Sequence, residues 1–290
     1  MSIADKATSP SPSTAAAVAR RTVANLARWL SAVAGTQRVR RPQPAWTRLG
    51  HLLLGAGVAF ALVLATMLWI DDLVIALQRR LTQAEIELFE AVTDLGRSGY
   101  VLAPLALAIT VLAAVSSPAL GHTRQMVLTA VAARLGFVFM AVAVPGVLVT
   151  VGKRLIGRAR PYSWESSGAF DFAPLRWHVD FASLPSGHGT TAFATAFAIG
   201  ALFPRMRVPL WMLAIMVAVS RVAVSAHYPS DVVAGAVIGV FGALVVRNWF
   251  AARRLGFLVA PDRSVHPLPG PSWRRLKRLA MGARAQDVAG

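Results

Sequence analysis

Cysteine is absent from the 290 residues. That removes disulfides, thiolate nucleophiles and Cys-ligated metals together, but it leaves the compartment open, since a cysteine-free chain works on either side of a membrane. Charge is scarce, at 15% of residues against roughly 25% in soluble domains. Hydrophobic residues reach 56%, and mean hydropathy is +0.55. One soluble core of this size could not bury that excess, so a soluble globular enzyme is disfavoured and disorder over most of the chain is excluded. Acidic residues are outnumbered by basic ones, 13 Asp and Glu against 30 Lys and Arg, for a formal net charge of +17. Internal repeats and glycine motifs of the cofactor-binding type are also missing.

What the chain has instead is six apolar stretches, at residues 52–70, 100–115, 126–151, 190–203, 208–226 and 232–250. A helix of ~19 residues at 1.5 Å rise covers about 28 Å, close to the hydrocarbon thickness of a bilayer. The second and fourth stretches are short and are expected to borrow a turn from their polar flanks. Pro104 and Pro145 are tolerated in membrane helices where neighbours re-satisfy the backbone. The expected fold is all-α: a polytopic membrane helical bundle of about six transmembrane helices. Residues 1–50 read as a basic, disordered cytoplasmic tail, 51–250 as the membrane domain and 251–290 as a second basic cytoplasmic tail. Within the first tail, a weakly amphipathic Ala/Arg stretch at 15–34 suits a segment lying near anionic lipid better than a transit peptide.

Charge placement gives the orientation. With the N-terminus inside, twenty Lys and Arg fall on inner segments and nine on outer ones, Arg134 lying within the third stretch. The positive-inside rule then puts both termini in the cytoplasm. The net charge therefore records topology, and nucleic acid is not an expected partner. Residues 73–96, with Leu77, Leu81, Ile86, Phe89 and Val92 at helical spacing, read as an amphipathic helix on the outer face. The outer loop 161–185 carries Tyr162, Trp164, Phe170, Phe172, Trp177 and Phe181. An interfacial aromatic belt is the plainer reading of that loop, and a lid that receives a lipid is the sharper one.

Three polar clusters fall on that outer side. Lys153, Arg154, Arg158 and Arg160 precede Pro161 directly after the third stretch. Cations there can be headgroup anchors, but four within eight residues also make a cradle for phosphoryl oxygens. Pro185, Ser186, Gly187 and His188 open the fourth stretch. Ser and Gly are ordinary helix caps, and a helix start is also an anion site at which Gly187 admits close approach. His188 alone would usually be structural. Ser220, Arg221, His227 and Asp231 join the fifth and sixth stretches. Asp231 is expected in the first helical turn after Pro229, where the helix dipole favours its ionised form. Four residues after His227, it can also accept an imidazole N–H and leave the other nitrogen nucleophilic. A capping Asp beside a polar loop His is the competing explanation. Arg221 inside an apolar run needs a partner. Together the three clusters supply the parts of a phosphoryl-transfer site.

The motifs K-x-x-x-x-x-x-R-P from Lys153, P-S-G-H from Pro185 and S-R-x-x-x-x-x-H-x-x-x-D from Ser220 resemble the signature of the type 2 phosphatidic acid phosphatase superfamily. All three match in order and without departure. The resemblance covers about residues 50–250, and residues 93–96 (T-D-L-G) also look like this family. It implies an integral-membrane, metal-independent lipid phosphatase. His227 is then the nucleophile that forms a phosphohistidine, Asp231 its orienting partner and His188 the acid that protonates the leaving oxygen. Lys153, Arg160, Ser186, Gly187 and Arg221 would hold the phosphate. No cofactor or metal is implied. The partners are a lipid phosphate and membrane lipids, with no obligatory protein partner evident. The setting implied is a bacterial inner membrane with the site on its periplasmic face. Vanadium haloperoxidases share this pocket but look like soluble enzymes, which six apolar stretches oppose. A lipid phosphotransferase is the nearer alternative. A transporter or an inactive relative is opposed by the intact His188, His227 and Asp231. Phosphatidic acid, phosphatidylglycerol phosphate, polyprenyl diphosphate and lipid A all present the same phosphoryl group, and the motifs do not choose among them.

Overall fold

The computed structural model describes residues 12–36, 49–163 and 169–270. Its helices are α1 (Pro12–Ala34), α2 (Leu49–Trp69), α3 (Asp71–Gln78), α4 (Gln83–Thr93), α5 (Ser98–Val115), α6 (His122–Ile156), α7 (Gly187–Leu202), α8 (Arg207–Ala223) and α9 (Pro229–Ala252). A short antiparallel hairpin, β1 (Phe257–Val259) with β2 (Val265–Pro267), follows α9. The expected all-α membrane bundle is what the chain forms.

Among the described residues, four helical segments are long and apolar enough to cross a membrane: 83–115, 122–156, 204–223 and 229–252. Helices α2 and α3, bent by 49° at their junction, make a fifth if the pair counts as one span. The remaining expected span is α7, which at 16 residues reaches only about 24 Å. It takes Gly187 and His188 from its polar flank and packs on α6, α8 and α9. A helix enclosed by protein does not have to match the lipid thickness. Its contact with α9 is built of small residues: a Cβ on Gly235 would meet Ser186 O, and one on Gly239 would lie 2.5 Å from Thr190 O. Close backbone approach of this kind is how helices associate where lipid removes the hydrophobic drive. Phe137, Val138, Ala141 and Val142 of α6 complete the core with Ala194 and Ala198 of α7 and Ala243, Val246 and Phe250 of α9. Phe137 also packs edge-on against Phe257 of β1, at 4.8 Å between ring centroids.

Three segments depart from the sequence expectations. Part of the N-terminal region read as disordered is α1, which docks on the C-terminal end of α5. Asn25 Nδ2 donates to Ala113 O and Ser116 O at 2.9 and 2.8 Å, and Arg21 donates to Ala114 O at 2.7 Å. These side chains satisfy carbonyls that the end of α5 leaves open, which gives a weakly amphipathic helix a fixed seat. The single amphipathic helix expected over 73–96 is two helices, because Thr82 and Glu85 form a capping box that starts α4 afresh. A 3-10 turn at Asp94–Gly96 then leads into α5. Part of the C-terminal region read as a tail is the hairpin, held to α6 by Arg134, which donates to Leu268 O at 2.8 Å. Intramembrane Arg134 thus has its partner. Residues 1–11 and 271–290 of the two tails, Arg38, Arg40, Arg41 and Arg48, and Trp164 of the aromatic loop lie outside the described residues.

Candidate active site

Helix ends bring the three motifs together. The C-terminal end of α6, the N-terminal ends of α7 and α9 and the C-terminal end of α8 meet at one end of the bundle. Helix α1 contacts the other end, where Trp249 of α9 donates to Val33 O at 2.9 Å.

The first motif turns sharply as α6 ends. Gly157 is left-handed (φ 63°) and closes the helix by donating to Lys153 O at 3.0 Å. A Cβ there would collide with Ala173 O, so this position requires glycine. Beyond it the chain runs beside the aromatic loop: Ala159 N donates to Asp171 O at 3.0 Å, Arg160 N to Asp180 O at 2.8 Å and Ser183 N to Arg158 O at 3.1 Å. Lys153 Nζ donates to Ala182 O at 3.1 Å, and its end lies 3.8 Å from the position a Gly187 Cβ would take. Arg160 Nε donates to Val179 O at 3.1 Å.

In the second motif, the buried Ser186 caps α7 by accepting from Gly189 N at 3.3 Å, and its own N–H donates to Asp231 O at 2.9 Å. That backbone bond joins the starts of α7 and α9. His188 is half-buried and lies within electrostatic reach of Arg221, His227, Lys153 and Arg97. The 3-10 turn before α5 abuts it, since a Cβ on Gly96 would come 3.1 Å from His188 Cβ.

In the third motif, Arg221 ends α8 almost fully buried and donates through Nη1 to Thr93 Oγ1 at 3.2 Å, while its Nε has no hydrogen-bond partner. Its carbonyl accepts from Ala226 N and His227 N, each at 3.2 Å. The chain folds back there through Ser225 at φ 54°, which is why five residues separate the Arg from the His. His227 is 1% exposed. Its Nδ1 lies 3.6 Å from Asp231 Oδ2 and 3.5 Å from Ser183 Oγ. Burial pushes this loop imidazole down to about 4, and the Asp231 carboxylate beside it opposes the shift only in part. Asp231 sits in the first turn of α9 after Pro229, as expected, and accepts from Tyr228 N at 2.9 Å.

All eight residues singled out in the sequence therefore gather at one site. Lys153, Arg160 and Arg221 lie within electrostatic reach of one another, and Lys153 and Arg160 within reach of His227. Among the described residues, no three His, Cys, Asp or Glu are grouped so as to hold a metal ion.

Ser183, Asp71 and Ser230 were not singled out in the sequence, and Arg158 was read there as a cradle cation rather than as a partner of Asp231. Ser183 Oγ donates to Asp231 Oδ2. Arg158, counted only as one of four cations, is wholly buried and donates through Nη1 to Asp231 Oδ1 and Ser230 Oγ, both at 2.7 Å. Its Nη2 donates to Asp71 Oδ2 at 2.8 Å, and Nε and Nη2 both donate to Ala169 O. Asp71, the first residue of α3, accepts in turn from Ser230 N at 2.9 Å and from Ser230 Oγ. The guanidinium lies over the Tyr228 ring at 4.0 Å.

The chain is similar to several known proteins. Proteins named lipid A 1-phosphatase from Rhizobium johnstonii and Rhizobium etli are 47% and 43% identical over 145 residues, which is 49% of this chain and 55% and 58% of theirs. The chain thus spans little more than half the length of these relatives. The crystal structure of Aquifex aeolicus LpxE aligns with a TM-score of 0.43 at 22% identity, covering 60% of this chain and 92% of that one. The family model of the PAP2 superfamily matches residues 134–255. That segment holds all eight residues named from the motifs, and it is the part of the chain that is similar to the PAP2 superfamily.

Proposed function

We propose that this integral membrane protein is a lipid phosphatase working through a phosphohistidine. The observation that carries the reading is His227, buried with one ring nitrogen facing Asp231 at the point where the cationic motif and the start of α7 converge. In this reading Nδ1–H points to Asp231, and Nε2 attacks phosphorus. The phosphorus–oxygen ester bond breaks, and protonated His188 gives its proton to the departing lipid oxygen. Water, deprotonated by His188, then attacks the phosphohistidine and releases inorganic phosphate. Lys153, Arg160, Arg221, Ser186 and the backbone at Gly187 stabilise the charge that develops on the phosphoryl oxygens. These cations do the neutralising that a metal would do elsewhere, so no metal takes part.

Two relatives bear the name lipid A 1-phosphatase, and among lipid phosphates the substrate we propose is the 1-phosphate of lipid A. The site lies at the opposite end of the bundle from α1, which supports cytoplasmic termini with the site on the periplasmic face of the inner membrane. Phosphate release from a panel of lipid A, phosphatidic acid, phosphatidylglycerol phosphate and polyprenyl diphosphate tests the reading. Wild-type protein should prefer lipid A, should keep its activity in EDTA and should lose it in His227→Ala. Loss of activity on chelation with recovery on adding divalent ions would overturn the metal-free mechanism.

A further inference from the structure

Two wholly buried charged residues have no part in the proposed reaction. Asp71 and Arg158 are both fully enclosed, and taking unpaired charges out of water is costly. Their arrangement is directional. Arg158 puts one nitrogen on Asp231 Oδ1 and another on Asp71 Oδ2, at 2.7 and 2.8 Å. Ser230 bridges the two, accepting from Arg158 Nη1 and giving both its N–H and its hydroxyl proton to Asp71. With Oδ1 occupied, the other oxygen of Asp231 is the one turned to His227, Ser183 and Tyr228 N. A planar guanidinium suits this task because its donors diverge at fixed angles. It lies over the Tyr228 ring and is further fixed by Ala169 O.

Resting on the phosphatase reading above, we propose that Asp71 and Arg158 are positioning residues for the reaction: Arg158 holds Asp231 so that Oδ2 faces His227, and Asp71 holds Arg158. Asp71 follows the bend between α2 and α3, so the first helix pair, outside the segment matching the superfamily, takes part in aligning the nucleophile. Neither residue contacts the phosphate in this arrangement. Weakening the chain should therefore slow turnover without weakening the hold on phosphate.

The test uses full-length protein in detergent micelles with a lipid phosphate substrate, and inorganic phosphate as competitive inhibitor. Asp71→Asn keeps shape and removes charge. It should lower kcat by about 10–100-fold, the size of effect that losing an outer partner has on metal-ligating side chains. KM and the phosphate inhibition constant should stay within about twofold. Arg158→Lys keeps charge but loses the fork, and should behave alike. Should either variant fail to fold, Ser230→Ala leaves both charges in place and should show a smaller fall in kcat with the same unchanged KM. Unchanged kcat in the folded variants would overturn the proposal. So would a fall in kcat matched by equal weakening of phosphate inhibition, which marks a general structural role. Wild type and His227→Ala run alongside. No phosphate release from wild type, or equal release from His227→Ala, would mean instead that the phosphatase reading itself has failed.

Discussion

At the scale of residues, the two histidines are held in different surroundings, and the difference predicts different phenotypes. His227 is enclosed beside a carboxylate, whereas His188 is half-buried among cations. Replacing His188 by Ala should slow turnover by ~10²–10⁴-fold, the usual worth of a general acid. The loss should shrink with substrates whose leaving group needs no proton, and rate measurements across such a series check this. A flat dependence on leaving group would remove His188 from that role. Burial sets the sign of the pH response at His227. Its imidazole is pushed from 6.5 down to about 4, so the neutral form that the proposed attack requires is present above that value. In the free protein kcat/KM should then fall as pH drops through about 4, once the substrate's own ionisation is allowed for. An acid limb near 6.5 would contradict it. Folding stability should decline across the same window, because between 6.5 and about 4 the unfolded chain binds a proton that the folded site refuses. His227 and Asp231 were legible in the sequence because four residues across a helix start already fix their proximity. Arg158, Asp71 and Ser183 were not, because their bonds cross 73, 87 and 48 residues. No local spacing encodes such contacts.

At the scale of elements, the site depends on how closely α7 lies against α9. Ser186 N reaches Asp231 O only because Gly235 and Gly239 let the two backbones meet. A Cβ at Gly239 would sit 2.5 Å from Thr190 O, a backbone atom that cannot rotate away. Gly239→Val should therefore cost about 1–3 kcal/mol, the usual range for overpacking, read from thermal unfolding in detergent. It should also lower kcat, because separating α7 from α9 draws Ser186, Gly187 and His188 away from His227. Wild-type stability together with wild-type turnover would show that the close contact is not required. Apolar runs revealed the spans, since length and hydropathy are local properties. They did not reveal that α7 is the enclosed helix, because its small residues acquire meaning only against the surface they face. The break between α3 and α4 was written in Thr82 and Glu85, but continuous helical periodicity through Leu81 and Ile86 concealed it.

At the scale of the whole molecule, all eight candidate site residues lie at one end of a bundle whose flanks are apolar. Leu53, Phe60, Leu107, Val111, Met212 and Ile215 project outward from the helices, a surface suited to lipid tails. Beside the site, Tyr162, Phe170, Phe172 and Trp177 are exposed on the loop that packs against the first motif. Arg154 lies 5.4 Å from the Trp177 ring centroid, and aromatic residues partnered by cations are at home at headgroup depth. A lipid phosphate would therefore bring its phosphoryl group to the helix ends while its tails stay in the bilayer. The tails add roughly 0.8 kcal/mol per buried CH₂, and that contribution is open only to a substrate that shares the membrane with the site. A water-soluble phosphomonoester has the same reacting group but must bind through the phosphate cradle alone. Long-chain substrates should accordingly show a higher kcat/KM than very short-chain ones with an identical headgroup, measured in mixed micelles at fixed surface concentration. Trp177→Ala should narrow that gap by raising KM for the long-chain substrate, with kcat little changed, if the aromatic loop receives the lipid. Equal kcat/KM for long and short chains would show that the cradle recognises phosphate without help from the membrane.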